Sequence, residues 1–299
     1  MAQAQAQPQT QAAIRPIAIT TTRKPRRKLT VFDIIVYILL LVFTFTSLAP
    51  FIFSFLSSFK TFGDVLSYPP TILPNPWTIG NYQTILSNGS FVRWLFNSFA
   101  FAVGVMVFNV LFSSMAGYAL ARMHFPGRNF FFYLTLAVML IPLPITMIPK
   151  FLTMDTLHLV NTYLALFLPY AAQPFSVFLM VQFLKGLPRE VEEAAMIDGA
   201  SRFRTFFQIV LPLVKPALTA VAILSFQGAW NEFTWSLLVL NTPDMYTLPI
   251  GLLFFKGAHF TEYNLLLAGS MFNTIPILIV FFIFQRYFIE GVASAGLKG

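Results

Sequence analysis

The carboxylates are the most chemically versatile side chains of this sequence, and four of the eleven lie between residues 190 and 198. Carboxylates serve as general acids or bases, as metal ligands or as polar contacts to another protein. The first two roles need partners, yet His124, His158 and His259 lie in different segments, and none has a second ligand at metal-binding spacing. No Ser/His/Asp arrangement is evident. We therefore predict no catalytic residue and no metal site, and the acidic cluster is interpreted as a surface for a protein partner or for solvent.

A second set of polar side chains lies inside long apolar segments. In a membrane such groups are costly, and they face a cavity or a neighbouring helix. The first case predicts a substrate path, and the second predicts interhelical hydrogen bonds worth roughly 0.6 kcal/mol each. The candidates are Gln227, Asn231, Glu232, Asn273, Tyr170 and Gln173.

The composition indicates which elements carry these residues. Hydrophobic residues make up 57% of the chain and charged residues 10%, whereas soluble domains have about 25% charged residues. Six apolar runs reach the length of about 20 residues that a membrane-spanning helix needs, and they lack the alternation of barrel strands. We predict an all-α integral membrane protein with six transmembrane helices. They are expected at approximately Ile34–Phe55, Trp94–Leu120, Phe130–Pro149, Tyr163–Leu184, Pro216–Leu240 and Leu265–Phe288.

The basic residues predict the orientation, because Lys and Arg are retained on the cytoplasmic side. With the N-terminus inside, only Lys60, Arg93, Lys150 and Lys256 fall outside, which leaves 15 of the 19 basic residues inside. We therefore predict that both termini and the segment 186–212 are cytoplasmic. The net charge of +8 is explained by this topology, so nucleic-acid binding is not predicted.

The N-terminal end differs from the rest of the chain in composition. Residues 1–28 are rich in Gln, Ala, Thr and Pro and end in a basic cluster, so a disordered cytoplasmic tail is predicted. The apolar run that follows is too long for a signal-peptide core and has no evident cleavage site, so it is expected to remain as an anchor. The chain contains no cysteine, which excludes disulfides and Cys-ligated metals.

The loop between the fourth and fifth spans carries the signals of a short helix. Pro188 suits a first helical position, and the glutamates that follow suit the positive end of a helix. Val191, Ala194 and Ala195 share one face, so we expect an amphipathic helix with small residues on its apolar side. Gly199 suits a C-terminal cap with positive φ.

Small residues recur in the second predicted span. Ser113, Gly117 and Ala121 lie four residues apart on one face of the expected helix. Small side chains let another helix approach closely. We therefore predict that this face is a helix-packing seam.

The acidic cluster is part of a longer pattern. Glu193-Ala194-Ala195 is followed by Gly199 and then by Ile209-x-Leu211-Pro212. This spacing resembles the EAA loop with which permeases of bacterial ABC importers bind their ATPase. Over most of residues 30–299 the chain is similar to carbohydrate permeases of the maltose-transporter type. The supporting motifs are Asn97-Ser98, Gly117-Tyr118-Ala119-Leu120-Ala121-Arg122, Phe125-Pro126-Gly127-Arg128, Asp198-Gly199-Ala200, Trp230-Asn231-Glu232-Phe233 and the tail from Gln285.

The resemblance implies a set of partners. A second permease subunit, commonly a different one, completes the pore, two ATPase subunits bind below it, and an extracytoplasmic binding protein delivers the sugar. The location implied is the plasma membrane of a bacterium or archaeon, with residues 29–289 as the permease domain and 290–299 as a cytoplasmic tail. The resemblance also implies that the candidate polar residues inside the spans line the path of the sugar. The residues implied in ATPase coupling are Glu193, Ala194, Ala195, Asp198, Gly199, Ile209 and Pro212.

ATP binding is not expected in this chain. It contains no Gly-x4-Gly-Lys-Ser/Thr sequence, which a P-loop requires. We predict a non-catalytic subunit without a cofactor of its own, with ATP and Mg²⁺ bound by the partner ATPase. Two alternatives stay open. One is a permease for a glycerophosphate-type solute, which shares the same loops, and the other is an ion-coupled secondary transporter, for which Glu232 is a candidate coupling carboxylate.

Overall fold

A computed structural model describes residues 30–257 and 261–296, with side chains as far as Gln285. Within these residues every regular element is a helix, apart from an isolated β-bridge between Lys256 and Thr261. The predicted tail over 1–28, His259 and the last residues of the predicted 290–299 tail lie outside the described residues.

The described residues form fifteen α-helices of very different length. They are α1 Val31–Ser57, α2 Phe62–Val65, α3 Gly80–Ser87, α4 Gly89–Arg122, α5 Arg128–Met139, α6 Leu143–Thr156, α7 Tyr163–Phe167, α8 Pro174–Lys185, α9 Glu190–Ile197, α10 Arg202–Thr205, α11 Leu211–Leu213, α12 Lys215–Trp230, α13 Thr234–Val239, α14 Leu248–Gly251 and α15 Tyr263–Gly296. Short 3-10 helices cover Leu168–Tyr170, Pro243–Met245 and Leu252–Phe255, and one π-helical turn covers Phe206–Val210.

Three of the described helices are long and apolar enough to cross a membrane unbroken. They are α1, α4 and the part of α15 over Tyr263–Gln285. These helices correspond to the first, second and sixth predicted spans. The chain divides after Pro50 into two compact units, and the sites described below lie in the second unit.

The predicted third and fourth spans are each divided into two helices, and a further bend lies just before the predicted fifth span. α5 and α6 meet at 108°, α7 with its 3-10 turn meets α8 at 42°, and the segment Arg202–Leu213 meets α12 at 80°. Pro142 and Pro174 explain the first two breaks, because proline lacks a backbone donor and disfavours helical geometry in the residue before it. The described helices give six spans only if each bent pair counts as one.

α4 is the helix around which the second unit packs. It makes its most extensive contacts with α8 and α12. One apolar cluster surrounds Trp94 and Phe101 in the first half of α4, and another surrounds Tyr118 and Met180 near its end. The two ends of α4 are therefore embedded in separate cores.

The predicted packing seam on α4 is confirmed. Ser113 and Ala121 are buried, and a Cβ atom placed on Gly117 would lie 2.6 Å from the Cβ of Met180 on α8. Any side chain larger than hydrogen at position 117 would therefore push the two helices apart.

Candidate functional site

A charged cluster joins the end of α4 to α9. Glu192 is 6% exposed, and its Oε1 lies 2.8 Å from Nε of Arg122. The hydroxyl of Tyr118 donates to Oε2 of Glu192 at 3.2 Å, and Nη2 of Arg122 donates to the carbonyl of Leu187 at 2.8 Å. We name Tyr118, Arg122 and Glu192 the anchor, because these three side chains tie α9 to α4.

The helix ends favour the charges of the anchor. Arg122 lies in the last turn of α4, where the helix dipole favours a cation, and Glu192 lies in the first turn of α9, where it favours an anion. Within the part of the chain that the structure describes, this is the one ion pair. The pair is also buried, so dissolved salt weakens its attraction much less than that of an exposed pair.

The opposite face of α9 is exposed. Glu193 and Ala194 are exposed, and Ile197 is 86% exposed. Arg189 and Arg202 line, together with Glu193, a cavity of about 170 Å³ beside the anchor. This face presents both charge signs and an apolar side chain, a combination that suits contact with another protein.

The predicted apolar face of α9 is only partly correct. Ala195 is buried, but Val191 is 44% exposed, because the inward position is taken by Glu192 and its ion pair. The helix begins at Glu190, so Pro188 lies before it and not at its first position. The inward side of the helix is therefore polar at its centre.

α9 ends in a glycine-dependent cap. Gly199 has φ +83°, as its position predicts, and Asp198 is the capping residue before it. The Gly199 amide donates to the carbonyl of Met196 at 3.1 Å, and the Ala200 amide donates to that of Ala195 at 2.9 Å. This pair of bonds is a Schellman motif, which requires the left-handed conformation that glycine adopts without strain.

Ile209 and Pro212 lie in the irregular stretch that leads into α12. Ile209 is half-buried in the π-helical turn, and Pro212 is exposed in α11. Proline cannot donate to the carbonyl four residues earlier, and π-turns are frequent at functional sites. Both residues lie before Val214, where the segment after α9 changes direction by 80°.

Three of the candidate path residues lie together between α12 and α15. Nδ2 of Asn273 lies 3.4 Å from Oδ1 of Asn231, and the carbonyl of Asn273 accepts a hydrogen bond from Nε1 of Trp230 at 2.8 Å. Asn231 donates to the carbonyl of Gln227 at 3.1 Å. Gln227 and Asn231 are both exposed at the chain surface.

Glu232 has a local structural contact. Its Oε1 accepts the Trp235 amide at 2.7 Å, and its Oε2 accepts the Ser236 amide at 2.8 Å and hydroxyl at 3.0 Å. The carboxylate therefore caps the N-terminus of α13, where an anion is favoured. The predicted fifth span, Pro216–Leu240, is interrupted here, because α12 ends at Trp230 and the capped helix α13 begins at Thr234.

Tyr170 and Gln173 lie at the break between α7 and α8. The ring of Tyr170 packs edge-on against Phe101, and Nζ of Lys150 lies 6.0 Å from its centroid. Among the described residues, neither the Tyr170 hydroxyl nor the Gln173 side-chain amide has a hydrogen-bond partner. Both polar groups are therefore available to a ligand.

Asn109 is a buried polar residue that the sequence analysis did not single out. It lies on α4 with 0% exposure and bonds to α8, to α12 and to the break before α8. A polar residue in an apolar span is the signal that could have identified it.

A network of neutral hydrogen bonds lies at the other end of α4. Nδ2 of Asn97 donates to the carbonyls of Asp244 and Tyr246 at 2.8 and 2.9 Å, and Nε1 of Trp94 donates to that of Pro243 at 2.9 Å. The Ser98 hydroxyl accepts the amide of Leu248 at 2.7 Å. We name Trp94, Asn97 and Ser98, with the backbone groups that they bind over 243–248, the rim network.

Comparison with known proteins identifies the family. The family described as binding-protein-dependent transport system inner membrane component matches residues 109–294. The arabinooligosaccharides transport system permease protein AraQ of Halalkalibacterium halodurans is 43% identical over 258 residues, which cover 85% of this chain and 92% of that protein. The trehalose/maltose transport system permease protein MalG of Thermococcus litoralis is 36% identical, with coverages of 84% and 92%.

A relative with a different type of solute is also similar. The sn-glycerol-3-phosphate transport system permease protein UgpE of Pectobacterium atrosepticum is 31% identical, with coverages of 88% and 96%. All three relatives are permease proteins of transport systems.

The fold is also found in a solved transporter. One chain of a bacterial ABC transporter involved in the import of the acidic polysaccharide alginate matches with a TM-score of 0.79 at 25% identity, covering 89% of this chain and 100% of that one. The family match and the relatives confirm the resemblance to sugar ABC-importer permeases. This chain therefore belongs to the family of binding-protein-dependent transport system inner membrane components.

Proposed function

We propose that this chain forms half of the translocation pore of an ATP-driven ABC importer for a sugar or oligosaccharide. A second permease subunit completes the pore, and an extracytoplasmic binding protein delivers the solute. Two separate ATPase subunits bind ATP and Mg²⁺, so this chain holds no cofactor. The family membership and the sugars named for the AraQ and MalG transport systems support this proposal.

The observation that carries the proposal is the division of α9 into two faces. Glu192 faces inward and is paired with Arg122 on α4, whereas the neighbouring Glu193 is exposed. An ATPase that binds the exposed face can displace α9, and the anchor transmits that displacement to α4. Movement of α4 with the helices packed on it would then alternate the pore between inward-open and outward-open states.

The same proposal orients the chain in the plasma membrane. The α9 face must be cytoplasmic to meet an ATPase, which agrees with the excess of basic residues predicted on that side. Both termini are then cytoplasmic, and the rim network lies on the outer side, where the binding protein docks. Gln227, Asn231 and Asn273 are proposed to line the sugar path, together with Tyr170 and Gln173.

The test is charge reversal on the exposed face of α9. In the importer purified with its ATPase and reconstituted in liposomes, Glu193→Lys should lower sugar uptake per ATP hydrolysed by at least about tenfold. The matched control is Asp155→Lys, which reverses the charge of an exposed carboxylate on α6 and should leave the coupling unchanged. If the Glu193 variant takes up as much sugar per ATP hydrolysed as the unaltered protein, Glu193 is not part of the ATPase contact.

A glycerophosphate-type solute is the second candidate, because the UgpE relative is similar over 88% of this chain. Uptake of arabino-oligosaccharides and of sn-glycerol 3-phosphate by the same reconstituted importer separates the two. The family match disfavours the ion-coupled secondary transporter. The Glu232 carboxylate, its candidate coupling group, instead caps the N-terminus of α13.

A further inference from the structure

All of the hydrogen-bonding capacity of the Asn109 side chain is used inside the chain. Nδ2 donates to the hydroxyls of Ser176 on α8 and Ser225 on α12, at 2.8 and 2.6 Å. Oδ1 accepts from the Ser113 hydroxyl at 2.7 Å and from the backbone amide of Gln173 at 2.8 Å. An asparagine side chain has two donors and two acceptor positions, so this buried group is fully satisfied.

The bond to Gln173 meets a specific need of the backbone. Pro174 begins α8 and holds Gln173 in an extended conformation, with φ −79° and ψ 134°. Asn109 Oδ1 is the acceptor of the Gln173 amide, and without it this amide would be left without a partner in an apolar environment. Irregular backbone at membrane depth is tolerated only where protein covers it or where it lines a cavity.

The groups that flank this break are the ones available to a ligand. Within the described residues, the Tyr170 hydroxyl and the Gln173 side-chain amide make no hydrogen bond. Both belong to the short stretch whose conformation depends on the Asn109 carboxamide. A change in that conformation would move both polar groups together.

We infer that Asn109 is a positioning residue of the sugar path, which holds the break before α8 so that Tyr170 and Gln173 present their polar groups to the sugar. This inference rests on the proposed function. Oδ1 of Asn109 is the atom that holds the break, because it accepts the hydrogen bond from the Gln173 amide. The bonds of Nδ2 to the two serines hold the carboxamide in its orientation.

The absence of cysteine from the chain allows a direct test. Gln173→Cys creates a single thiol at the break, and its rate of reaction with a maleimide can be measured in the assembled importer. Asn109→Leu removes the acceptor and should change this rate by about tenfold, the effect of about 1.4 kcal/mol. Asn109→Asp retains an oxygen that can accept the Gln173 amide, so its labelling rate should stay within about twofold of the Asn109 protein.

Two controls separate positioning from loss of fold. Gln83→Cys, an exposed site far from the break in sequence, should react at the same rate with Asn109 or with Leu at position 109. Ser225→Ala removes one acceptor of Nδ2 and leaves the Gln173 bond, so labelling at position 173 should change little. If Asn109→Leu does not assemble with the ATPase, Asn109→Ala provides the same loss of Oδ1 with less bulk.

Uptake of arabinotriose by importers that retain Gln173 tests the transport consequence. Asn109→Leu should raise KM by about tenfold with a smaller change in kcat, and Asn109→Asp should restore most of the affinity. Equal labelling at position 173 with Asn109 and with Leu would overturn the inference. If the unaltered importer takes up no sugar, the proposed function fails, and the labelling result still decides whether Asn109 holds the break.

Discussion

The two ends of α4 are joined to their neighbours by different chemistry. At its N-terminal end, the rim network uses neutral side chains that bond mainly to backbone groups of residues 243–248. At its C-terminal end, the anchor is a buried pair of opposite charges on two helices. Trp94 and Arg122 are 28 residues apart, which is about 42 Å along a helix at 1.5 Å per residue.

The N-terminal end of α4 is therefore held by several independent hydrogen bonds, whereas its C-terminal end is held mainly by one ion pair. Each neutral bond of the rim network contributes about 0.5–1.5 kcal/mol, and losing one leaves the others in place. The anchor depends on one pair of charges, so loss of either charge leaves the other buried without a counter-charge. A concentrated link between α4 and α9 suits the transmission of movement, whereas the rim network suits the holding of a loop.

The largest effect is expected when one partner of the anchor is removed. Arg122→Ala leaves the Glu192 carboxylate buried and unpaired, which should lower the free energy of unfolding by about 3–5 kcal/mol. Thermal unfolding of the purified chain in mild detergent measures this loss. The double variant Arg122→Leu with Glu192→Leu should recover more than half of it, because the uncompensated charge is then absent. A double variant as unstable as the single one would show that the anchor contributes by packing and not by charge.

A smaller effect is expected where a glycine makes room for the rim network. A Cβ atom on Gly251 would overlap the ring of Trp94, whereas one on Gly89 would meet nothing within 4 Å. Gly251→Ala should therefore lower the free energy of unfolding by about 1–3 kcal/mol through overpacking, and Gly89→Ala should not. Thermal unfolding of the two variants in parallel provides the measurement. Equal stability would show that Trp94 can move aside and that the rim end is looser than the anchor end.

Local sequence signals predicted much of this architecture, but long-range contacts decided the details of the sites. Gly199 and its cap follow from chemistry within a few residues. The inward orientation of Glu192 instead depends on Tyr118, 74 residues earlier, and no helical periodicity contains that information. The periodicity of α9 favoured an alanine face, and the ion pair with α4 overrode it.

The bends in the spans were partly predictable. Pro142 and Pro174 are visible in the sequence and disfavour helical geometry in the residue before them. Membrane helices tolerate proline when neighbouring groups satisfy the freed backbone, so a proline alone does not reveal whether a span is kinked or broken. In the fourth span the deciding group is Asn109, which lies 64 residues before the amide that it satisfies.

A charged group in α2 provides a contrast to the anchor, because it is partly exposed and is held by neutral partners. Asp64 accepts the Asn75 amide at 3.0 Å and the Thr71 hydroxyl at 2.9 Å. The Asn75 bond chiefly holds the pKa of the Asp64 carboxyl below its usual range, burial opposes this shift, and Thr71 and Lys60 reinforce it. A carboxyl whose pKa is lower in the folded state stabilises the fold above its unfolded pKa, and that contribution is lost as the pH falls through the folded value.

The smallest effect is therefore expected from Asp64→Asn, and it should depend on pH. The unaltered protein should be more stable than the variant at neutral pH, and the difference should shrink between about pH 6 and about pH 3 as Asp64 takes up a proton. Thermal unfolding of both proteins across this range measures the difference. Because Asp64 is partly solvated, the loss should be far below that of Arg122→Ala. A difference that stays constant with pH would assign the contribution of Asp64 to its shape, and a loss as large as that at the anchor would mean that exposure does not separate the two charged sites.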